Sequence, residues 1–264
     1  MRENYINLVF VLDESGSMAG SESDVINGFN KLIEEQKAID NGKCTVSLFT
    51  FDSKVSERFI GKEVHEVKKL EADRGYEFSS IMSVSSVIVD GVADIKVEAS
   101  SHETDPLYRY CPGGLTAMND GIGIAIDKIG KWLADMPEEE RPSKNLIVIM
   151  TDGEENSSKE YTLVKVQEMI KHQTEVYDWS FVYMGMDITS KDAAESLGIN
   201  NRSYTSKSSE SITKSWDNIS YLNTCYRNAV TAADYDVAYT TFNAKLSEDT
   251  KLYEEQTGIK IEDN

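Results

Sequence analysis

The chain has 264 residues, of which 40% are hydrophobic, so it can bury one large core or two small ones. Its 46 Asp and Glu outnumber its 27 Lys and Arg, and the resulting net charge of −19 opposes binding to nucleic acid and to anionic membrane surfaces. Three widely spaced cysteines disfavour a disulfide framework and indicate a reducing compartment.

The first predicted strand ends abruptly at polar residues. Leu8 to Leu12 is continuously apolar and rich in β-branched and aromatic types, which is typical of a central parallel strand covered on both faces. Asp13 follows directly. Because this strand begins within a few residues of Met1, we expect no signal peptide, and no later stretch has the length of a transmembrane helix. We therefore expect a cytoplasmic location.

The next elements predict a parallel strand pair with an antiparallel neighbour. An amphipathic helix carries apolar residues at three- and four-residue spacing from Val25 to Ile33 and ends near Gly42. A strand over 44–51 and a more polar strand over 55–60 follow. From residue 62 to residue 110 the pattern loosens into charged clusters and β-branched pieces, which we interpret as a β-rich insertion.

The second half of the chain alternates helices and strands. The spacing of apolar residues predicts, in chain order, a helix over 118–134, a buried strand over 145–150, a helix over 160–172, a strand over 179–184, a short helix over 193–197, an edge strand over 202–204 and a helix over 210–230. This order predicts an α/β fold with a doubly wound, mostly parallel central sheet, one antiparallel edge strand and helices on both faces, as in Rossmann-like proteins. We expect one domain over 1–230 and a C-terminal helical extension over 231–264.

Polar oxygens follow both fully buried strands of the predicted sheet. In a doubly wound sheet such strands lie side by side at the topological switch point, so their loops surround one crevice. Carboxylate and hydroxyl oxygens suit Mg²⁺ or Mn²⁺ better than zinc. Each loop alone could be an ordinary turn, but together they predict a metal site made of Asp13, Ser15, Ser17, Thr116 and Asp152.

These five positions resemble the metal-ion-dependent adhesion site of the von Willebrand factor A domain. The match comprises Asp13-x-Ser15-x-Ser17, the turn Gly113-Gly114-Leu115-Thr116, and Thr151-Asp152-Gly153. The order of strands and helices agrees from about residue 6 to residue 230. Within that family the chain is most similar to the stand-alone intracellular type of bacteria and their phages, including those near tellurite-resistance proteins. The segment 62–110 and the helix after Thr231 depart from the family pattern.

The resemblance also implies roles for the residues. Ser15, Ser17 and Thr116 would bind the ion directly, whereas Asp13 and Asp152 would act partly through water. An ion held largely by neutral hydroxyls stays electrophilic, and the resemblance implies that an Asp or Glu carboxylate of a partner protein completes its coordination. The expected function is therefore a divalent-cation-dependent protein-binding module and not an enzyme. The partner and the oligomeric state are left open.

Two other functions fit parts of the sequence. A Mg²⁺-dependent phosphotransfer enzyme of the haloacid dehalogenase type also places an Asp after its first strand, but its second acid is replaced here by Ser15. An acidic decoy that mimics nucleic acid fits the net charge, although the acids are spread through the chain. The three histidines, His65, His102 and His172, match no zinc motif, and Ser17 lacks the Gly-x-Ser-x-Gly pattern of a nucleophile.

Overall fold

A computed structural model describes residues 2–72, 83–89, 92–98, 105–153, 155–186, 190–199, 201–204, 208–229 and 231–258. The strands of this part of the chain are β1 (Arg2–Asp13), β2 (Lys43–Phe51), β3 (Val55–Glu63), β4 (Glu71–Ala72), β5 (Ser83–Val89), β6 (Val92–Glu98), β7 (Arg109–Tyr110), β8 (Pro142–Thr151), β9 (Ser180–Gly185) and β10 (Asn201–Tyr204). Its α-helices are α1 (Glu22–Lys37), α2 (Met118–Ala134), α3 (Leu163–Tyr177), α4 (Ser190–Ser196), α5 (Ser209–Asn228) and α6 (Ala232–Thr257).

Six of these strands form the central sheet, in the order β10-β9-β8-β1-β2-β3. The strands from β10 to β2 are all parallel to their neighbours, and β3 runs antiparallel to β2 at one edge. This arrangement confirms the predicted doubly wound, mostly parallel sheet with one antiparallel edge strand. The last predicted strand is also confirmed, because β10 lies at the opposite edge.

Strand β1 contributes to two hydrophobic cores because successive side chains of a strand point to opposite faces of the sheet. Leu8, Phe10 and Leu12 pack in the core that contains the buried residues of α1, α5 and α6. Val9 and Val11 pack in the core that contains the buried residues of α2, α3 and α4. All five side chains are fully buried, so helices cover both faces of the sheet as predicted.

Helix α3 begins and ends later than the predicted helix over 160–172. The Thr162 side chain accepts a hydrogen bond from the Lys165 N–H and caps the helix, and Asp178, with φ of 55°, follows its last residue. The prediction was wrong at both ends because apolar spacing does not locate caps. The three residues before Thr162 consequently belong to a loop, which lies against the start of α2.

The segment predicted as an insertion contains two small strand pairs. Strand β4 pairs in parallel with β7, and β5 with β6 forms an antiparallel hairpin in which Val89 lies opposite Val92. Residues 73–82, 90–91 and 99–104 of the predicted insertion lie outside the described residues.

Helix α6 shares the core of α1 and α5 through Ala238, Phe242 and Leu246. The proposed boundary between 1–230 and 231–264 stays a prediction. Among the described helices, none combines the length and the apolar character that a membrane crossing requires.

Candidate metal site

The candidate residues lie where the direction of the sheet's winding changes. The chain passes from β1 to β2 on one side, and β8 occupies the other side of β1. Leu12 is paired with Met150, so Asp13 and Thr151 both follow at the carboxyl edge of the sheet. This is the edge at which doubly wound sheets bind ligands.

Asp13 is fully buried at the end of β1, and neutral groups hold both of its carboxylate oxygens. Its Oδ1 accepts a hydrogen bond from the Ser15 N–H at 2.6 Å, and its Oδ2 accepts one from the Thr151 hydroxyl, also at 2.6 Å. The carbonyl oxygen of Asp13 accepts a hydrogen bond from the Tyr110 hydroxyl at 2.6 Å. These hydrogen bonds fix the orientation of both the side chain and the main chain of Asp13.

The other four candidates lie close to one another beyond the end of β1. The hydroxyl oxygens of Ser15 and Ser17 are 3.0 Å apart, and Ser17 donates to Asp152 Oδ1 at 2.6 Å. A Cβ atom at Gly153 would lie 3.4 Å from Ser17 Oγ and 3.6 Å from Thr116 Oγ1, so both hydroxyls face this glycine. The structure thus brings the three predicted loops together at one place.

The electrostatics of this cluster favour a bound cation. Burial raises the pKa of Asp13 to about 6, hydrogen bonds from Thr151 and Ser15 partly oppose that effect, and the negative charge of Asp152 adds to it. A positive ion between the two carboxylates would stabilise the ionised form of Asp13. With three hydroxyls nearby, the donors are hard oxygens of the kind that Mg²⁺ and Mn²⁺ prefer. The residues present therefore fit such an ion.

This donor set contains only two carboxylates. Across the residues that the structure describes, no three His, Cys, Asp or Glu side chains come together in an arrangement that could hold a metal ion. The cluster around Asp13 therefore differs from metal sites that are built mainly from carboxylate, imidazole or thiolate ligands, because three of its five donors are hydroxyl groups. Of the histidines, His65 follows β3 and His172 lies on α3, whereas His102 is outside the described residues.

Backbone hydrogen bonds join the first two loops. The Gly16 N–H donates to the Gly114 carbonyl at 3.1 Å, and the Gly113 N–H donates to the Glu14 carbonyl at 2.6 Å. Gly114 has φ of +79°, and a Cβ there would lie 2.8 Å from Ser53 Oγ, so the turn requires glycine at this position. The loops hold each other through main-chain contacts, which preorganises their side chains.

The sequence interpretation missed the residues that hold Thr116. Asn156 Oδ1 accepts a hydrogen bond from the Thr116 N–H at 2.9 Å, and the Asn156 N–H donates to the Thr116 carbonyl at 3.0 Å. Asp120, in the first turn of α2, accepts hydrogen bonds from the backbone N–H groups of Lys159, Glu160 and Tyr161 at 2.7 to 2.9 Å. No local pattern marks Asn156, and the first-turn position of Asp120 does not reveal its role, because its carboxylate binds the loop before α3 and does not cap α2.

One side of the cluster lies at the surface of the protein. Gly16, Ser17 and Gly114 are exposed at the surface, and Leu115 is 56% exposed beside Thr116. Asp13 and Ser15 lie beneath them and are buried. The cluster is therefore accessible from solvent on the side of Ser17 and closed on the side of Asp13.

Several solved structures are similar to this chain at low sequence identity. The PilB minor pilin from Streptococcus sanguinis is 13% identical, covers 85% of this chain and 62% of its own, and has a TM-score of 0.51. Proximal thread matrix protein 1 from the mussel byssus is 13% identical over 83% of this chain and 47% of its own, with a TM-score of 0.48. A von Willebrand factor type A protein from Catenulispora acidiphila is 10% identical over 85% of this chain and 43% of its own, with a TM-score of 0.45.

These similarities concern the fold alone, which rests on the strand order and on the likeness to the PilB minor pilin. Proteins of von Willebrand factor A type are thus among the structures similar to this chain. The chain spans 43% to 62% of the length of these proteins. No protein-family model matches the chain, and comparison with curated proteins gives no match.

Proposed function

We propose that this chain is a divalent-cation-dependent protein-binding module of von Willebrand factor A type. Its site would hold Mg²⁺ or Mn²⁺ through Asp13, Ser15, Ser17, Thr116 and Asp152. The observation that carries this proposal is the convergence of three separate loops on two buried carboxylates and three hydroxyls at the carboxyl edge of the sheet. The bound ion would supply an electrophilic position for an Asp or Glu carboxylate of a partner protein.

The distribution of charge supports binding of a carboxylate. Ser15, Ser17 and Thr116 are neutral, so the two carboxylates balance a divalent ion without exceeding its charge. The exposed side of the cluster carries glycines and Ser17, which leave space for an incoming side chain. A partner with a single acidic residue is a better candidate than nucleic acid, because the chain's net charge of −19 repels a polyanion far more strongly than one carboxylate.

The environment of Asp13 supports binding rather than phosphotransfer. A nucleophilic aspartate has to present a free carboxylate oxygen to a substrate. Here both oxygens of Asp13 accept short hydrogen bonds, and the side chain is fully buried. We therefore retain the proposal that the chain is not an enzyme. Turnover of phosphate esters with Mg²⁺ that Asp13→Ala abolishes would overturn it.

We also propose that the protein works in the cytoplasm as a separate module. Its three cysteines are few and widely spaced in the sequence, which suits a reducing compartment. The bacterial or phage origin stays part of this proposal, because it rests on the sequence resemblance.

The test is Mn²⁺ binding measured by calorimetry, with the water proton relaxation rate recorded in the same titration. We expect one site in the wild type, and a loss of affinity of roughly 100-fold in Asp13→Asn, because the substitution removes one of the site's two carboxylate charges while the direct hydroxyl ligands remain. Asp40→Asn, at an exposed position in the turn after α1, is the matched control and should bind as the wild type does.

The relaxation measurement addresses the partner's chemistry. A carboxylate that replaces water on the ion should lower the relaxation enhancement when an acidic peptide is added, and the corresponding amide peptide should not. Equal Mn²⁺ affinity in wild type and Asp13→Asn would exclude the proposed site. Binding of Mn²⁺ without any response to carboxylates would leave a metal site but exclude the capture of a partner carboxylate.

A further inference from the structure

Glu14 stands between two proposed metal ligands, yet its side chain points to other elements. Its Oε2 accepts a hydrogen bond from Arg58 Nη2 at 2.8 Å, and its Oε1 accepts one from the Cys111 N–H at 3.0 Å. Both side chains of the ion pair are largely buried, at 8% exposure for Glu14 and 13% for Arg58. The carboxylate thus faces a guanidinium and a main-chain amide.

The main chain of Glu14 is also fully engaged. Its N–H donates to the Phe51 carbonyl at 2.7 Å, and its carbonyl accepts from the Gly113 N–H at 2.6 Å. One residue therefore connects the Asp13 loop to the end of β2 and to the turn that leads to Thr116. Any movement of Glu14 would shift Asp13 and Ser15, which are its direct neighbours in the chain.

Arg58 extends this connection to the antiparallel edge strand and to the segment before β7. Its Nε donates to Thr50 Oγ1 at 3.0 Å and its Nη1 donates to the Pro106 carbonyl at 2.7 Å. Each of the three guanidinium nitrogens therefore donates a hydrogen bond. Arginine suits this position because its planar group presents donors in fixed directions, which lysine lacks.

We propose that Glu14 and Arg58 are positioning residues of the metal site. The pair holds the first loop and the Thr116 turn at a fixed separation. Arg58 balances the charge of Glu14. The pair therefore holds the loops without placing a third uncompensated carboxylate beside the ion. This inference rests on the proposed metal site and assigns its geometry to two residues that do not bind the ion.

Position and charge make opposite predictions for the loss of Arg58. If the pair acts by position, Arg58→Gln weakens Mn²⁺ binding because the loops separate. If only charge matters, the same change strengthens Mn²⁺ binding, because Glu14 then adds negative charge near the ion. Glu14→Ala removes both side-chain contacts of the loop and should weaken binding under the first alternative.

The experiment measures Mn²⁺ affinity and the electron paramagnetic resonance spectrum of bound Mn²⁺ in the full chain. We expect Arg58→Gln and Glu14→Ala each to lose roughly tenfold or more in affinity, as outer-shell changes do, and to broaden the spectrum as coordination becomes less uniform. The matched control removes the exposed neighbouring pair of Glu57 and Lys128 with Glu57→Gln and Lys128→Gln. It should leave affinity and spectrum unchanged.

Circular dichroism at the titration temperature establishes that each variant is folded. If a single variant unfolds, Glu14→Gln combined with Arg58→Gln replaces it, since this double variant leaves no unpaired charge. The inference is overturned if the wild type binds Mn²⁺ and the folded variants bind as tightly, or more tightly, with the same spectrum. Absence of Mn²⁺ binding in the wild type would instead refute the proposed function.

Discussion

Strand β1 carries two buried polar clusters, one at its middle and one at its carboxyl end, and the six residues of extended chain between them span about 20 Å. At the middle of the strand, Asn7 donates to Asn145 Oδ1 at 3.1 Å and accepts from the Thr45 hydroxyl at 3.2 Å. At its carboxyl end, Asp13 is equally buried but is a carboxylate with Asp152 close by. The first cluster is neutral and satisfies its own hydrogen bonds, whereas the second carries negative charge that a cation would balance.

This difference separates a structural polar network from a candidate binding site. Asn7 and Asp13 are both buried from solvent, and both lie on the strand that pairs with β2 and β8. Hydrogen bonding alone therefore does not distinguish them. The two clusters differ in net charge. This matters because burial costs much more free energy for an ionised group than for a neutral group that has hydrogen-bond partners.

Placing a charge in the neutral cluster should have the largest effect. Asn7→Asp would bury a carboxylate among Asn145, Thr45 and Ser47, with no cation to balance it. We expect the free energy of unfolding in urea at pH 7.5 to fall by about 3 kcal/mol or more. Ser56→Asp, at an exposed position on β3, is the control and should change it by less than about 0.5 kcal/mol.

A loss below about 1 kcal/mol in Asn7→Asp would mean that the cluster around Asn7 tolerates charge. The contrast between the two polar clusters of β1 would then fail.

The second prediction concerns the pH dependence of the metal-free protein. The pKa of Asp13 is raised from 3.8 to about 6 in the folded state. Its contribution to stability is therefore fully present below pH 3.8 and is lost as pH rises through 6. In chelator, Asp13→Asn should become more stable relative to wild type between pH 4 and pH 7, by up to about 3 kcal/mol.

This pH dependence is read from urea unfolding of both proteins across that range. Asp40→Asn provides the baseline for an exposed carboxylate. A difference between Asp13→Asn and wild type that stays constant with pH would show that the buried carboxylate is not the source of unfavourable charge.

The smallest expected effect concerns the residue that holds Thr116. Asn156→Ala removes the side-chain acceptor of the Thr116 N–H, although the main-chain contact to the Thr116 carbonyl remains. We expect Mn²⁺ affinity to fall roughly tenfold, or about 1.4 kcal/mol, as measured by calorimetry. Asn41→Ala, whose amide contacts Asn228 far along the chain, is the matched control.

Unchanged affinity in Asn156→Ala would mean that the Thr116 turn is held well enough by its main-chain contacts. The metal affinity of the cluster around Asp13 would then not depend on the Asn156 side chain.

Part of the site was predictable because it depends on local pattern. The buried run of β1, with Asp13 directly after it, locates a carboxylate at the edge of the sheet. The second buried run does the same for Asp152. The alternation of strands and helices then predicts that β1 and β8 are neighbours, which the sheet order confirms. Whether the five residues bind a metal ion stays a prediction for the experiments above.

The sequence by itself determined where each buried strand ends and which oxygens follow it, because burial and strand termination are properties of short stretches. Only the tertiary structure showed that Arg58 pairs with Glu14, and that Asn156 holds Thr116. These partners lie 44 and 40 residues apart in the chain, and nothing in their own neighbourhoods distinguishes them from exposed polar residues. Contacts of this kind exist only after the sheet has brought its loops to one edge.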